Sequence, residues 1–284
     1  MDTTAYLARL GLPSSLGAPP SAEALRALHA AHVERVPYEA LEIWLGRPTT
    51  VDPLDSAARI LRGRGGYCYH LNGAFSALLA ALGYRVTRHV GGVQMRNSEP
   101  GITANHLVLT VSDLPSVDNP GGAWLVDVGL GDALHEPLPL IEGSYKQGPF
   151  TYGLRRSEVA PGGWRLDHDP SGSFQGMDLA PEPAEMSAFA AMHEHLTTSP
   201  TSGFVRVAVV QRRDAYGVDC LRGLTLTRYG NTSLSVTLDS ARDYYAALSD
   251  IFGLPLDDVS AQEKDALWSR VHAAQEAWLS AGAS

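Results

Sequence analysis

In RGRGGYCYHLNGA, residues 62–74, one cysteine stands between two tyrosines, behind a glycine-rich turn and ahead of a helical pattern. A cysteine so placed can be a small buried hydrophobe, a metal ligand or a nucleophile. The start of a helix presents free N–H groups and positive potential, which favour a thiolate. Gly65 and Gly66 would permit unusual backbone angles and the close approach of a ligand. A nucleophile also needs a base. His106 opens the otherwise apolar run NHLVLTV and shares a face with Val108. Asp127 sits inside WLVDVGLG between Val126 and Val128, where a carboxylate is costly without a partner. Taken singly, His106 and Asp127 each read as a satisfied polar group of the core. Together with Cys68 they form a set in which His106 holds a thiolate–imidazolium pair and Asp127 fixes the ring tautomer.

Other reactive side chains carry less. His70 is either a surface residue of the helix or a second titrating group near the sulfur. His193 and His195 have the spacing of metal ligands, but alternate residues of a short helix point apart, so no metal is expected. Cys220 follows the turn YGVD at the start of a strand and reads as inert. GRGGY lacks the Lys-Ser or Lys-Thr that completes a phosphate-binding loop.

The elements that must position these groups follow from periodicity. Ser21 can cap a helix through AEALRALHAAHVERV, ended by Pro37, and a short helix follows over Asp55 to Arg62. From Cys68, the residues Leu71, Phe75, Leu78, Leu79 and Leu82 make one apolar face, closed by Gly83. Beyond Arg85 the pattern turns to strands: RVTRHVGGVQM, NHLVLTVS, AWLVDVGLG, the run around Phe150 to Leu154, and GGWRLDHD. EMSAFAAMHEHL reads as a helix, GFVRVAVVQRR, LRGLTLTRY and SLSVTLD as three strands, and the C-terminal stretches from Ser240 and Ser260 as helices. Helices, then strands, then strands with helices give an α+β chain.

Composition narrows the function classes. The 284 residues are 44% hydrophobic, enough for a substantial core. A net charge of −9 argues against a general nucleic-acid binder. No stretch approaches the roughly 18 to 20 apolar residues of a membrane span, so no membrane partner is expected. The opening MDTTAYLARLGLP does not read as a secretory signal. Two cysteines in distant contexts make no disulfide framework, and a reducing cytoplasm is the expected location.

The segments RGRGGYCYHLNGAFSALLAALGYRV, NHLVLTV, WLVDVGLGD and ALHAAHVERVPYEALEIWLGRP resemble the arylamine N-acetyltransferase family. HLTTSPTSGFVRVAVVQRR and LRGLTLTR are similar to its C-terminal strand pair, so the resemblance covers nearly the whole chain. It implies a helical bundle over residues 1–84 carrying the nucleophile, a β-barrel over 85–200 carrying His and Asp, and an α/β lid over 201–284. The bundle and barrel together would resemble the papain-like cysteine protease core. Cys68 would be the nucleophile, His106 the base and Asp127 the orienting carboxylate. Glu39 and Arg64 would be structural residues near the site; Tyr69, Leu130, Gly131 and Phe204 would line or close the pocket. The implied reaction moves acetyl from acetyl-CoA, the cosubstrate, to an aromatic amine, hydroxylamine or hydrazine by a ping-pong route through an acyl-cysteine.

The chain also departs from that pattern. His70 stands where the family usually has glutamate, Ala40 where it has asparagine, Leu130 where it has an aromatic residue, and Asn105 where threonine is common. The loop SDLPSVDNPGGA is long. Leu130 and this loop would reshape the acceptor pocket. These differences keep open an amide synthase that closes a macrolactam from a polyketide on an acyl carrier protein. A catalytically silent binding protein and a cysteine hydrolase of the same fold are further alternatives.

Overall fold

The computed structural model describes residues 1–16 and 19–282. Helix α1 (Thr3–Arg9) is followed by α2 (Ala22–Arg35), where the Ala24 N–H donates to the Ser21 hydroxyl and opens the helix. The segments α3 (Leu41–Trp44) and α4 (Pro53–Leu61) lead to α5 (Cys68–Ala81). Helix α5 stops at Leu82, and Gly83 follows at φ +88°, a conformation that suits glycine. Leu71, Phe75, Leu78 and Leu79 are fully buried and pack with Tyr6, Leu25 and Leu28.

The strands β2 (Arg85–Gln94), β3 (His106–Ser112), β4 (Trp124–Val126), β5 (Leu138–Pro139), β6 (Gly143–Gln147), β7 (Phe150–Arg156), β8 (Trp164–Asp167) and β9 (Gly176–Pro183) follow the two-residue β1 (Tyr38–Glu39). They form an antiparallel sheet in the order β5-β4-β3-β2-β9-β8-β7-β6, nearly closed into a barrel. Alternation sorts β3 between two cores: Leu107, Leu109 and Val111 join the helical core, while Val108 joins Leu125 and Leu166 inside the barrel. Strand β4 ends at Val126, so Asp127 is the first residue past the ladder rather than mid-strand as expected.

A five-stranded sheet in the order β1-β10-β11-β12-β13 completes the molecule, with β10 (Val209–Asp214), β11 (Gly217–Arg222), β12 (Thr225–Tyr229) and β13 (Leu234–Thr237). Tyr38 pairs with Gln211 and Glu39 with Val210, which ties the N-terminal segment to this sheet. Two strands expected as continuous runs are interrupted. GFVRVAVVQRR opens as the helical turn α7 (Gly203–Arg206), because the Ser202 hydroxyl accepts from the Phe204 N–H. LRGLTLTRY is a hairpin reversing at Gly223, φ +58°. Before α7, a 3₁₀ turn (Met186–Phe189) enters α6 (Ala190–Thr198); after the sheet come α8 (Ala241–Ala246) and α9 (Ala261–Gly282).

Candidate active site

Cys68, His106 and Asp127 meet where three elements terminate: the first residue of α5, the first of β3 and the residue after β4. His106 and Asp127 are each two positions along from barrel-core residues, Val108 and Leu125, so both lie on the same face of paired strands. Their exposures are 3%, 2% and 1% for Cys68, His106 and Asp127, so charge here is poorly screened. His106 Nε2 lies 2.6 Å from Asp127 Oδ2. Nδ1 is then the ring nitrogen left to the Cys68 sulfur, while the thiol itself donates to the neighbouring Asn105 carbonyl at 3.7 Å. Burial pulls the imidazole pKa down, but the Asp127 carboxylate bonded to the ring and the nearby Cys68 sulfur outweigh it and raise it to about 10.

Asp127 is itself held by groups that the sequence did not single out. Its Oδ1 accepts from Asn72 Nδ2 at 2.7 Å and from the Gly129 N–H at 2.9 Å. Asn72 also donates to the Leu107 carbonyl (2.6 Å) and accepts from the Val128 N–H (2.9 Å), clamping α5 to both strand ends. His29 Nδ1 sits 2.9 Å from the His135 carbonyl and must donate there, so Nε2 accepts the Asp127 N–H at 3.3 Å. Burial, the largest influence, drives the His29 pKa down to about 4, consistent with that neutral ring. A Cβ on Gly129 would fall 2.8 Å from both Cys68 Cα and Asn72 Nδ2, so only glycine lets α5 dock this closely. Asn72 carried a signal: it stands four residues after Cys68, on the same helical face.

The remaining expected residues separate into supports and walls. Glu39 accepts from the Leu41 N–H (2.6 Å) and the Gly65 N–H (3.2 Å), and Arg59 lies 3.6 Å away. Arg64 reaches Asp258 at 3.1 Å and Glu42 at 3.4 Å. Both therefore brace the turn before Cys68. Gly65 and Gly66 make room for protein rather than ligand: added Cβ atoms would meet the Pro37 carbonyl oxygen at 2.0 Å and His70 Cβ at 2.5 Å, and neither has positive φ. The Tyr69 ring is buried and its hydroxyl donates to the Ala104 carbonyl at 2.6 Å. Leu130 and Gly131 line a cavity of about 10 Å³ beside Asp127, together with Tyr38, Gln211 and Arg213. Phe204 packs 4.9 Å from Tyr67 and 6.3 Å from Tyr38, ring centre to ring centre.

His70 is not a surface residue. It is 1% exposed, accepts the Tyr67 N–H through Nδ1 at 3.3 Å, and packs against Tyr67 and His193. Burial, then Arg59 and His193, push its pKa well below the ordinary value, so it stays neutral. His193 uses both nitrogens, on the Tyr67 hydroxyl (2.5 Å) and the Thr49 carbonyl (2.8 Å), while His195 is exposed. Cys220 lies within β11, buried, its thiol pushed up to about 11 chiefly by that burial. Among the described residues, no three His, Cys, Asp or Glu side chains are grouped to hold a metal, and no helix is long and apolar enough to cross a membrane.

A family profile described as N-acetyltransferase matches residues 21–261. The arylamine N-acetyltransferase of Mycolicibacterium smegmatis is 32% identical over 281 residues, covering 94% of this chain and 96% of its own length. The proansamycin X synthase of Amycolatopsis mediterranei is 34% identical over 152 residues, 51% of this chain and 55% of that protein. A solved structure of the Mycobacterium marinum arylamine N-acetyltransferase in complex with CoA superposes with a TM-score of 0.82 at 27% identity, covering 95% of this chain and 98% of that one.

Proposed function

Because this chain belongs to the arylamine N-acetyltransferase family, we propose that it moves an acetyl group from acetyl-CoA to a small aromatic amine, hydroxylamine or hydrazine through an acyl-Cys68 intermediate. The observation that carries the proposal is the buried His106 ring, bonded to Asp127 at 2.6 Å through Nε2 and close enough to the Cys68 sulfur for its charge to raise the imidazole pKa. In the first half-reaction His106 holds the thiol proton, and the Cys68 thiolate attacks the thioester carbonyl. The N–H groups of Cys68 and Tyr69, the first two of α5, have no partner within the helix and would receive the oxyanion. The carrier thiolate leaves with the proton from His106, and Cys68 is acylated.

Acylation changes the base. The ring had been held protonated partly by the sulfur's charge, and a thioester sulfur carries none. His106 can now take the proton of the incoming amine as the amine attacks the acyl carbon. The Cys68 thiolate departs and the thiolate–imidazolium pair is restored, which is ping-pong chemistry on one nucleophile. Residues 1–84, 85–200 and 201–284 then divide the work. A papain-like pairing of bundle and barrel supplies the reacting groups, and the last unit covers them through Phe204.

Similarity to the proansamycin X synthase supports a second donor, an acyl group on a carrier protein, with closure of an amide inside one substrate. Intact-mass analysis after incubation with each thioester separates the two. The proposal expects a gain of one acetyl group from acetyl-CoA, absent from Cys68→Ala. Loading only from a long-chain carrier thioester would replace it with the amide synthase. No loading from any thioester would end both.

A further inference from the structure

Three phenols stand around Cys68, and two are committed to the protein. The Tyr69 hydroxyl donates to the Ala104 carbonyl at 2.6 Å. His193 Nε2 faces the Thr49 carbonyl at 2.8 Å and must donate, so its Nδ1 accepts from the Tyr67 hydroxyl. The Tyr38 hydroxyl has no hydrogen-bond partner among the described residues.

Its ring is nonetheless firmly placed. Backbone pairing fixes Tyr38 between Gln211 on β10 and Gly66, two residues before Cys68. A Cβ on Gly131 would lie 3.2 Å from Tyr38 Cγ, so the ring rests against that turn. Phe204 packs against it edge-on. Burial first, then the Cys68 sulfur, raise the phenol's pKa well above its ordinary value, so the group is a neutral donor at any working pH. The adjoining cavity of about 10 Å³ admits one water, and Asp127, Gln211 and Arg213 line it together with Leu130.

We propose that the Tyr38 hydroxyl is a specificity-determining donor that selects aromatic amines bearing an oxygen acceptor on the ring, such as a hydroxyl or carboxylate, over unsubstituted arylamines. This rests on the acetyl-transfer proposal for its context but not for its test. An unpartnered donor discriminates because a ligand without an acceptor leaves it unpaired. One neutral hydrogen bond of this kind corresponds to roughly 10-fold in affinity.

Equilibrium binding of 4-aminophenol and aniline, with no thioester present, decides the matter. The wild-type protein is expected to bind 4-aminophenol about 10-fold more tightly, and Tyr38→Phe to erase that ratio while thermal melting confirms an intact fold. A wild-type ratio near one, or a preference that persists in Tyr38→Phe, overturns the inference. Equal weakening of both amines in Tyr38→Phe also overturns it, and assigns the hydroxyl to a buried water. Failure of acetyl-CoA to load Cys68 would sink the donor assignment but leave this ratio interpretable.

Discussion

At the scale of the residue, two charges set the protonation of His106, and the proposed reaction removes one of them. Replacing Asp127 by Asn removes the other while preserving shape. The imidazole midpoint should then fall below the value of about 10, as followed by NMR, and Cys68 acylation should slow by about 10³- to 10⁴-fold. The same ring links to stability. Its folded-state pKa lies above the ordinary value near 6.5, so its contribution is complete below about pH 6.5 and is lost as pH rises through about 10. Melting temperatures across pH 7 to 10 should therefore fall more steeply for wild type than for Asp127→Asn. His106 and Asp127 stood out in the sequence because each interrupts an apolar pattern with a group that needs a partner, and Cys68 because it opens a helix behind a glycine-rich turn. Of the two readings open for His70, the surface one fails because periodicity describes one helix alone. Arg59 from α4 and His193 from α6 close over it from distant parts of the chain.

At the scale of the element, the site depends on α5 starting hard against the strand ends. Gly129 permits it, and Gly129→Ala tests it. The new methyl would lie 2.8 Å from Cys68 Cα and must push α5 away from Asp127. We expect a loss of about 1–3 kcal/mol in stability by chemical denaturation and slower alkylation of Cys68 by iodoacetamide. Unchanged alkylation would separate reactivity from docking. The long helices and strands were readable from their periods, but short features were not. Tyr38–Glu39 is too brief to show alternation, and α7 rests on one serine cap ahead of a strand-like sequence.

At the scale of the whole molecule, the interior holds several neutral histidines. Burial chiefly lowers His29 to about 4 and His32 to about 3, and it lowers His70 as well. For such groups the unfolded chain takes up protons first, so stability is complete above about pH 6.5 and is lost as pH falls toward 4. Thermal melts should show a midpoint falling across that window, before most carboxylates titrate; a midpoint that rises would contradict the burial of these rings. The α+β class and the order of helices before strands followed from the sequence. Pairing of β1 with β10 required the folded chain, because it joins segments far apart in sequence that carry no complementary signal.

The central claim is that the acyl group passes to Cys68 before any amine reacts. Mixing enzyme with excess acetyl-CoA in the absence of amine, and quantifying free CoA thiol alongside peptide mapping, tests it directly. The account predicts an initial release near one equivalent of CoA per enzyme, with the acetyl group on the peptide containing Cys68. Release that waits for an amine, or an acetyl group on another residue, would contradict it.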